Sequence, residues 1–440
     1  MPHRARPAHS WWLLTLAGLG GLSLCTVILT LFFPFGRRPP AVRITAAPPV
    51  TSSEFLAAVA GAAGAPVRAG GTIQLLDNGV AFFPALLRDL NAARRTIHFS
   101  VYIWEPGQTS DQVFAVLIDR AKSGVAVRLL IDGLGGMKVP DKDVAALKAA
   151  GGQVATFSAP RFGKLTRFDR RDHRRAIVVD GTVAYTGGMA VADKWMGDAD
   201  TDQHWRDTMV RVTGPLAASV QSAFVAPWAQ SSGELLAGPG VFPPPEPSAD
   251  PAPDARRVTL HMGLSSSPSS EDHPLRVFFI QSFVSARRTL HITTPYFVPD
   301  EGTREVVAAR ARAGVDVRLL LPDQHTDARP IRLTSHAYYE RLLESGVRIY
   351  EYQGTMMHTK GVVVDGVWSI VGSANMDIRS KELNSENVLG VLDEGFGRDM
   401  EATFSRDLRH AREISLAEWR RRGPWERAKE RMAVLFSEQY

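Results

Sequence analysis

The feature that most constrains the fold of this 440-residue chain is an internal repeat of polar landmarks. Segments 172–190 and 357–376 both carry a histidine, a cation two residues later, an Asp-Gly pair and a glycine-containing corner. The paired landmarks lie 185 positions apart, namely His173 and His358, Asp180 and Asp365, and Gly187 and Gly372. Because chance similarity between hydrophobic strands does not keep polar residues in register, the repeat predicts a duplicated fold.

Each copy alternates strands and helices. The stretch 93–104 (ARRTIHFSVYIW) corresponds to 286–297 (ARRTLHITTPYF), and 123–131 corresponds to 313–321, with helix-periodic segments between them. Helices between short buried strands predict an α/β sandwich with a mostly parallel core sheet in each half. We therefore expect two duplicated halves that pack with pseudo-twofold symmetry and share a site at the seam between them.

A Pro-rich break divides the chain. Residues 231–257 contain the run GPGVFPPPEPSADPAPD, which is incompatible with a regular helix or a central strand. We expect this segment to link a first half, 70–230, to a second half, 258–440, that ends in a basic helix. The tail at 417–436 mixes Trp, Arg and apolar residues at helical spacing. It fits either a helix on an anionic membrane surface or a helix packed on the second half.

The N-terminal region has the pattern of a membrane anchor. After a basic tail at 1–10, residues 11–35 contain no charged side chain. With a rise of about 1.5 Å per residue, this run exceeds the roughly 20 residues that cross a bilayer. A cleaved signal peptide is the alternative, but its apolar core is usually about 7–15 residues long. We predict a transmembrane helix of undetermined orientation, a linker at 36–69 and a location in the cell membrane.

The second copy of the motif gathers polar groups on one side of a hairpin. Residues i and i+2 of a strand face the same way, so His358 and Lys360 point together. The Asp-Gly pair at Asp365 predicts a hairpin turn, and the returning strand carries Ser373 and Asn375 back past the histidine. We interpret Asp365 as fixing the hairpin rather than as a proton carrier. The other four side chains are candidates for chemistry.

The first copy supplies the matching half of a site. His173 and Arg175 share a face, and Asp180 makes the turn. Two imidazoles with pKa values near about 6.5 can divide the work, one attacking an electrophile and the other protonating the leaving oxygen. Nearby cations and polar donors would stabilise charge on three nonbridging oxygens, which predicts a phosphodiester site. A cation beside each histidine disfavours a zinc site, so we expect no metal or other cofactor.

The pattern His-x-Lys-x4-Asp-x6-Gly-Ser-x-Asn, in two copies, resembles the signature of the phospholipase D superfamily. The second copy matches it at every position, and the stretches 205–215, 294–300 and 372–387 resemble the cardiolipin synthase branch. The resemblance covers roughly residues 70–440. The first copy departs from it in having Arg175 in place of Lys and Ala190 in place of Asn. Loss of one transition-state donor can cost about 10²–10³ in rate.

This resemblance implies a role for each site residue. One histidine forms a covalent phosphatidyl-histidine, and the other acts as an acid and then as a base for the acceptor alcohol. By analogy, His173 is the nucleophile and His358 the acid, although the near-symmetric motif leaves the opposite assignment open. Glu386 matches the family carboxylate that holds the imidazole ring and is expected to pair with His358. Asp207 is its expected counterpart for His173.

The residues leave three functions open. The leading interpretation is a membrane phosphatidyltransferase that moves a phosphatidyl group from phosphatidylglycerol to a second lipid alcohol, forming cardiolipin. The alternatives are hydrolysis, by a phospholipase D or a nuclease, and a non-catalytic membrane scaffold whose first half has decayed. A net charge of +5 and a pI of 9.4 suit an anionic partner, but no aromatic-basic stacking platform supports nucleic acid binding. We expect phospholipid substrates and, from the resemblance, a bacterial inner or plasma membrane.

Overall fold

The computed structural model describes residues 15–16, 18–23, 46–158, 170–244, 254–267 and 273–435. The predicted basic tail at 1–10 and most of the predicted anchor at 11–35 lie outside these stretches. Within them, no helix has both the length and the apolar character that crossing a membrane requires.

Strands and helices alternate through both halves. The first half and the segment before it contain α1 (Ser53–Ala63), β1 (Arg68–Ala69), β2 (Thr72–Asp77), α2 (Asn78–Asn91), β3 (Thr96–Val101), α3 (Gln108–Lys122), β4 (Ala126–Asp132), α4 (Asp141–Ala149), β5 (Gln153–Phe157), β6 (Arg171–Asp172), β7 (Ala176–Val179), β8 (Val183–Gly187), β9 (Thr208–Thr213) and α5 (Pro215–Ser232). The remainder contains β10 (Arg256–Arg257), β11 (Leu260–Ser266), α6 (Pro274–Val284), β12 (Thr289–Thr293), β13 (Phe297–Val298), α7 (Glu301–Arg312), β14 (Asp316–Pro322), α8 (Arg329–Glu344), β15 (Arg348–Tyr352), β16 (Gly361–Val364), β17 (Trp368–Gly372), β18 (Met376–Asp377), α9 (Ile378–Glu382), β19 (Asn384–Leu392), α10 (Glu394–Leu408), β20 (Ala411–Ile414), α11 (Leu416–Arg420) and α12 (Pro424–Val434).

Two large sheets organise these elements. The first has the strand order β10-β2-β9-β8-β7-β3-β4-β5, and the second has the order β1-β11-β19-β17-β16-β12-β14-β15-β20. The path from β2 to β5 therefore has the same topology as the path from β11 to β15. The predicted duplicated α/β fold is confirmed by this repeated strand order.

The expectation of a mostly parallel sheet is wrong. Along the two described paths, the only parallel pairs are β3 with β4, β4 with β5, β12 with β14, and β14 with β15. The strands β7 and β8 form an antiparallel hairpin, as do β16 and β17. A two-residue Asp-Gly turn brings the chain back beside itself, which forces antiparallel pairing. Along these two paths, parallel pairing is confined to strands joined by helices.

Each central strand is buried on both faces. In β7, Ile177 and Val179 pack in the core formed with α2 and α3, whereas Ala176 and Val178 pack in the core that contains α5. Successive strand residues point to opposite faces, so a strand with helices on both sides must be apolar throughout. This explains why the strand sequences are continuous apolar runs rather than alternating ones.

The two halves share one core. Residues of α5, among them Phe224 and Trp228, pack in a single apolar cluster with Val363, Val371 and Leu389 of the second half. Helix α5 contacts β7, β8 and β11, and α10 contacts the equivalent strands β16, β17 and β2. Each helix thus reaches the sheet of the other half in the same way, as pseudo-twofold packing requires. The motif-bearing strands of both halves meet at this seam.

Two predicted linkers contain parts of the folded body. Helix α1 lies inside the predicted linker 36–69, and its Phe55 ring meets Trp368 edge-on at a centroid distance of 5.2 Å. Strand β10 lies inside the predicted linker 231–257 and pairs with β2. Burial of one large apolar side chain contributes about 1.5–3 kcal/mol, so α1 is bound firmly to the second half. The predicted linker boundaries are wrong at these two points.

The C-terminal basic helix packs on the second half. Helix α12 lies against α8, and its Glu430 is buried in an ion pair with Arg422. Trp425 and Met432, two turns apart on the opposite face, are exposed, as is Leu435. The packed alternative is therefore observed, and membrane contact by the exposed face stays a prediction.

Candidate active site

Each motif histidine is held by the other half of the molecule. His173 lies between β6 and β7, and its backbone N–H donates to the carbonyl of Ser385 in β19 at 2.9 Å. His358 precedes β16, and its backbone N–H donates to the carbonyl of Arg206 at 2.7 Å. The short strand β6 pairs with the start of β19, and Arg206 forms an isolated bridge with Met357. The seam therefore fixes the backbone of both histidines.

The carboxylates cross the same seam. Nδ1 of His173 lies 2.9 and 3.0 Å from the two carboxylate oxygens of Glu386, and Nδ1 of His358 lies 2.7 Å from Oδ2 of Asp207. The predicted pairing of Glu386 with His358 and of Asp207 with His173 is wrong. The reason is topological, because β9 and β19 each run beside the histidine segment of the other half rather than of their own. The four residues predicted to form the two pairs are nevertheless all brought together.

Two serine hydroxyls hold Glu386. Ser373 Oγ donates to Oε2, and Ser380 Oγ donates to Oε1 at 2.8 Å. Ser373 was expected to face the phosphate, and it instead orients the carboxylate. Ser380 also accepts from the backbone N–H of Asn375 at 3.1 Å. Ser380 is not among the residues predicted for the site, although it lies within the stretch 372–387 that resembles the family.

A tryptophan and a glycine accommodate Asp207. Trp195 Nε1 donates to Oδ2 at 2.9 Å, and the backbone N–H of Thr208 donates to Oδ1 at 2.7 Å. Gly188 occupies the position that Ser373 has in the second copy. A Cβ atom at Gly188 would lie 2.1 Å from Oδ1 of Asp207, so only glycine leaves room for this carboxylate. In the sequence, the presence of Gly188 at the position equivalent to Ser373 is the signal that this carboxylate is held differently in the two copies.

The motif cations sit beside the histidines. Lys360 Nζ lies 3.0 Å from both ring nitrogens of His358 and donates to its carbonyl at 2.7 Å. Arg175 Nη1 donates in the same way to the carbonyl of His173 at 2.5 Å. Arg175 is fully buried, and its Nε and Nη2 have no hydrogen-bond partner in the described part of the chain. Ala190, which replaces the family asparagine, packs in the apolar core of the first half.

Burial and charge keep both imidazoles neutral. Burial lowers the pKa of His173 well below its usual range, and the nearby Arg175 and Lys360 lower it further. Burial, Lys360 and Arg175 together outweigh Asp207 and lower the pKa of His358 to about 4. The pKa of Lys360 itself is lowered to about 7, mainly by burial. Because each motif cation acts on the histidine of both halves, the two motifs form one electrostatic site.

The two carboxylates differ in charge state. Burial raises the pKa of Glu386 to about 7, even though Ser373 and Arg175 act in the opposite direction. Burial also disfavours ionised Asp207, but His358 and Lys360 outweigh it and hold the pKa of Asp207 below its usual range. The duplicated halves have therefore become electrostatically unequal.

The turn aspartates lie away from the imidazoles. Asp180 and Asp365 have left-handed backbone conformations, with φ of 53° and 55°. Their carboxylates accept backbone N–H groups at the start of the neighbouring strand, from Arg94, Arg95 and Thr96 in the first half and from Arg287, Arg288 and Thr289 in the second. These contacts tie each hairpin to the central strand beside it, which agrees with the interpretation that the aspartates fix the hairpins.

Aromatic rings surround the histidines. The ring of Tyr102 meets His173 edge-on at 4.9 Å, and the rings of Trp195 and Trp205 lie 5.5 and 5.4 Å from His358. They limit the rotation of the imidazoles and the access of water. No group of three or more His, Cys, Asp or Glu side chains in the described stretches is arranged to hold a metal ion.

A comparison with protein families identifies this arrangement. Residues 86–224 and 279–408, more than half of the chain, match the family model described as "Cardiolipin synthase, PLD-like domain". The chain belongs to the phospholipase D superfamily, in its cardiolipin synthase branch. Both halves contribute to the match, so the two copies of the repeat are two phospholipase D-like units.

Individual relatives agree with this family. Cardiolipin synthase A of Escherichia fergusonii is 34% identical over 373 residues, which are 84% of this chain and 75% of that protein. Cardiolipin synthase A of Escherichia coli is 32% identical over 441 residues, covering 99% and 86%. The crystal structure of phosphatidylserine synthase from Haemophilus influenzae has a TM-score of 0.66 at 14% identity, covers 88% of this chain and 100% of that one, and shows the fold alone. The prediction of a phospholipase D-like phosphatidyltransferase is confirmed.

The site contains the groups that phosphoryl transfer requires, namely two imidazoles and two cations. Because Nδ1 of each imidazole faces a carboxylate, Nε2 is the nitrogen available for attack or for proton transfer, and in His358 it also lies 3.0 Å from Lys360 Nζ. Arg175 and Lys360 supply positive charge where negative charge develops on the phosphoryl oxygens. Two neutral imidazoles next to two cations are suited to an anionic phosphodiester, whose charge would favour protonation of one of them.

Proposed function

We propose that the protein transfers a phosphatidyl group from phosphatidylglycerol to the hydroxyl of a second lipid alcohol, forming cardiolipin and releasing glycerol. In the first step, Nε2 of His173 attacks phosphorus, the bond from phosphorus to the glycerol oxygen breaks, and His358 gives its proton to that oxygen. In the second step, His358 takes the proton of the acceptor hydroxyl, and the oxygen of that hydroxyl displaces Nε2 of His173 from phosphorus. The enzyme returns to its starting state without a cofactor.

The crossed pairs of histidine and carboxylate at the seam carry this proposal. They hold Nδ1 of each imidazole with a carboxylate of the other half, and Arg175 and Lys360 each lie close enough to act on both histidines, which supports a single shared site. Relatives of 32–34% identity that bear the name cardiolipin synthase A support the choice of lipid substrates. Arg175 keeps the positive charge of the family lysine, and the geometry of the guanidinium suits two phosphoryl oxygens.

The proposal also includes the membrane setting. A single-pass helix at 11–35 would hold the site close to its lipid substrates and raise their effective concentration. The division into a phospholipase D-like half at 70–230 and another at 258–440 is part of the same proposal, with α1 and β10 added to the folded body. The location that we propose is a bacterial inner or plasma membrane.

The test offers radiolabelled phosphatidylglycerol to the detergent-solubilised full chain. Labelled cardiolipin is the expected product, and His173→Ala and His358→Ala should each abolish it, whereas alanine at the exposed His410 should not. A quench during turnover into denaturing detergent at mildly alkaline pH, where a phosphorus–nitrogen bond survives, should trap label on the wild type and none on His173→Ala. Phosphatidic acid as the main product would indicate hydrolysis, and no turnover would favour a scaffold; either result overturns the proposed transfer.

A further inference from the structure

A tyrosine and an aspartate lie at the edge of the second half that also carries the His358 motif, since the start of β16 lies beside the carboxyl end of β12. The central strands β12, β14 and β15 are parallel, so their carboxyl ends and the loops that follow them lie at one edge of the sheet. Tyr296 follows β12, and Asp327 lies in the loop between β14 and α8. Ligands of open α/β sheets bind at such an edge. The two residues are therefore placed where a substrate would approach.

Strand pairing connects this edge to the motif. In the parallel pair of β13 and β18, Phe297 is in register with Met376. The residues immediately before them, Tyr296 and Asn375, are therefore neighbours. Asn375 is 3% exposed, and its side-chain oxygen has no hydrogen-bond partner within the described residues. A buried amide oxygen of this kind calls for a donor, which a substrate hydroxyl can supply.

The tyrosine fixes the carboxylate. Tyr296 is partly buried, and its hydroxyl lies 2.8 and 2.9 Å from the two carboxylate oxygens of Asp327, to which it donates. Asp327 is exposed, so the rest of its carboxylate is open to a ligand. A rigid aromatic donor thus orients an acceptor that faces solvent. Because its orientation is fixed by Tyr296, Asp327 differs from a freely rotating surface carboxylate and can bind a ligand in a defined position.

The charge of Asp327 determines what this element can bind. Asp327 is close enough to Lys360 to favour its protonated form, against the larger effect of burial. A carboxylate repels a phosphate group, so it does not serve the phosphate of the donor lipid. Carboxylate and amide oxygens accept hydrogen bonds from hydroxyl groups, and Arg175 and Lys360 nearby disfavour a cationic ligand. A neutral polyol has the required chemistry.

We infer that Tyr296, Asp327 and Asn375 form a subsite for the vicinal diol of the acceptor alcohol, the free glycerol end of a second phosphatidylglycerol headgroup. The inference rests on the proposed function and names the residues that orient its acceptor. With the secondary hydroxyl held by Asp327, the primary hydroxyl points toward the phosphorylated histidine. Water and simple alcohols lack the second hydroxyl and lose this orientation.

The test compares two soluble acceptors that differ by one hydroxyl group, 1-propanol and 1,2-propanediol, with labelled phosphatidylglycerol as the donor to the full chain in detergent. For the wild type, we expect kcat/KM to be about tenfold higher for the diol, the effect of one charge-assisted hydrogen bond. Asp327→Asn should reduce this preference below about threefold, because the loss of rate with the diol should exceed any loss with 1-propanol. Tyr296→Phe should act in the same direction.

A matched control removes the same charge elsewhere. Glu394 is 79% exposed at the start of α10, and Glu394→Gln should keep the preference for the diol. Equal rates of the wild type with both alcohols, or an equal loss with both in Asp327→Asn, would overturn the subsite. So would ethanolamine acting as a better acceptor than 1,2-propanediol in a way that depends on Asp327. Transfer without a diol preference overturns only the subsite, whereas a wild type that transfers to no acceptor overturns the proposed function as well.

Discussion

Binding of a tetrahedral anion should cause His358 to take up a proton. Burial, Lys360 and Arg175 lower the pKa of His358 to about 4, so at pH 5.5 only about 3% of this imidazole is charged. A general acid must be protonated when the leaving group departs. In the proposed mechanism, the substrate itself therefore has to charge His358, and the negative charge of a phosphodiester between the two cations can do so.

The size of this effect follows from Coulomb's law. One negative charge about 4 Å from the imidazole, at an effective dielectric constant of about 20, favours the protonated form by about 4 kcal/mol. That energy raises the proton affinity by a factor of about 10³ and brings His358 to more than about 90% protonated at pH 5.5. Lys360 and Glu386, with pKa values of about 7, are already almost fully protonated at this pH. The difference in proton uptake between the wild type and a variant without the His358 imidazole therefore reports on His358.

Isothermal titration calorimetry with sulfate measures this uptake. Sulfate is tetrahedral and does not titrate near pH 5.5, so a dependence of the binding enthalpy on the ionisation enthalpy of the buffer counts protons taken up by the protein. We expect about 0.9 proton for the wild type and for His173→Gln, and close to zero for His358→Gln. A wild-type enthalpy independent of the buffer, or equal uptake in His358→Gln, would refute the assignment of His358 as the acid charged by its substrate.

Three substitutions test other parts of the site. Arg175→Lys should keep kcat within about tenfold, because the second copy already has a lysine, Lys360, at the equivalent position. Arg175→Ala removes the positive charge and should lower kcat by at least about 10². Equal losses of the two variants in initial-rate assays would contradict this. Asp207→Asn should lower kcat by about 10³–10⁴, because His358 loses the carboxylate that accepts its Nδ1–H and orients the ring. A decrease in kcat of less than about tenfold would show that Asp207 does not act through the imidazole. Asp365→Ala should lower the free energy of unfolding by about 2–4 kcal/mol, because three backbone N–H groups lose their acceptor; an unchanged midpoint in urea would exclude this role.

The repeat made much of the fold and site predictable from the sequence. Polar landmarks kept in register located both histidines and both cations, and the Asp-Gly pairs predicted the hairpins. The sheet direction was predicted wrongly, because buried strands in parallel and antiparallel sheets have the same apolar character. The folded α1 had a recognisable signal in Ser52, which caps its first turn, and in Gly64, which ends it in a left-handed conformation. Its alanine-rich composition concealed that signal.

The sequence could not show which carboxylate pairs with which histidine, and the reason is physical. Glu386 is 28 residues from His358 along the chain, and this proximity favoured the pairing within one half. Contacts across a seam depend on how two sheets dock, which no local pattern encodes. Ser380 and Trp195 escaped notice for the same reason, since each acts on a carboxylate whose histidine belongs to the other half.

The crossed pairs explain how a duplicated site can acquire two different roles. Each half lends its carboxylate to the other, so neither half alone contains a complete pair of histidine and carboxylate. Around Asp207, the imidazole of His358 and Lys360 keep the carboxylate ionised, which stabilises a charged His358 and suits an acid. Around Glu386, burial raises the pKa to about 7, so this carboxylate does less to favour a charged His173. We infer that the divergence of these two environments favours His358 as the acid, because the ionised Asp207 beside it stabilises an imidazolium, and leaves attack on phosphorus to His173.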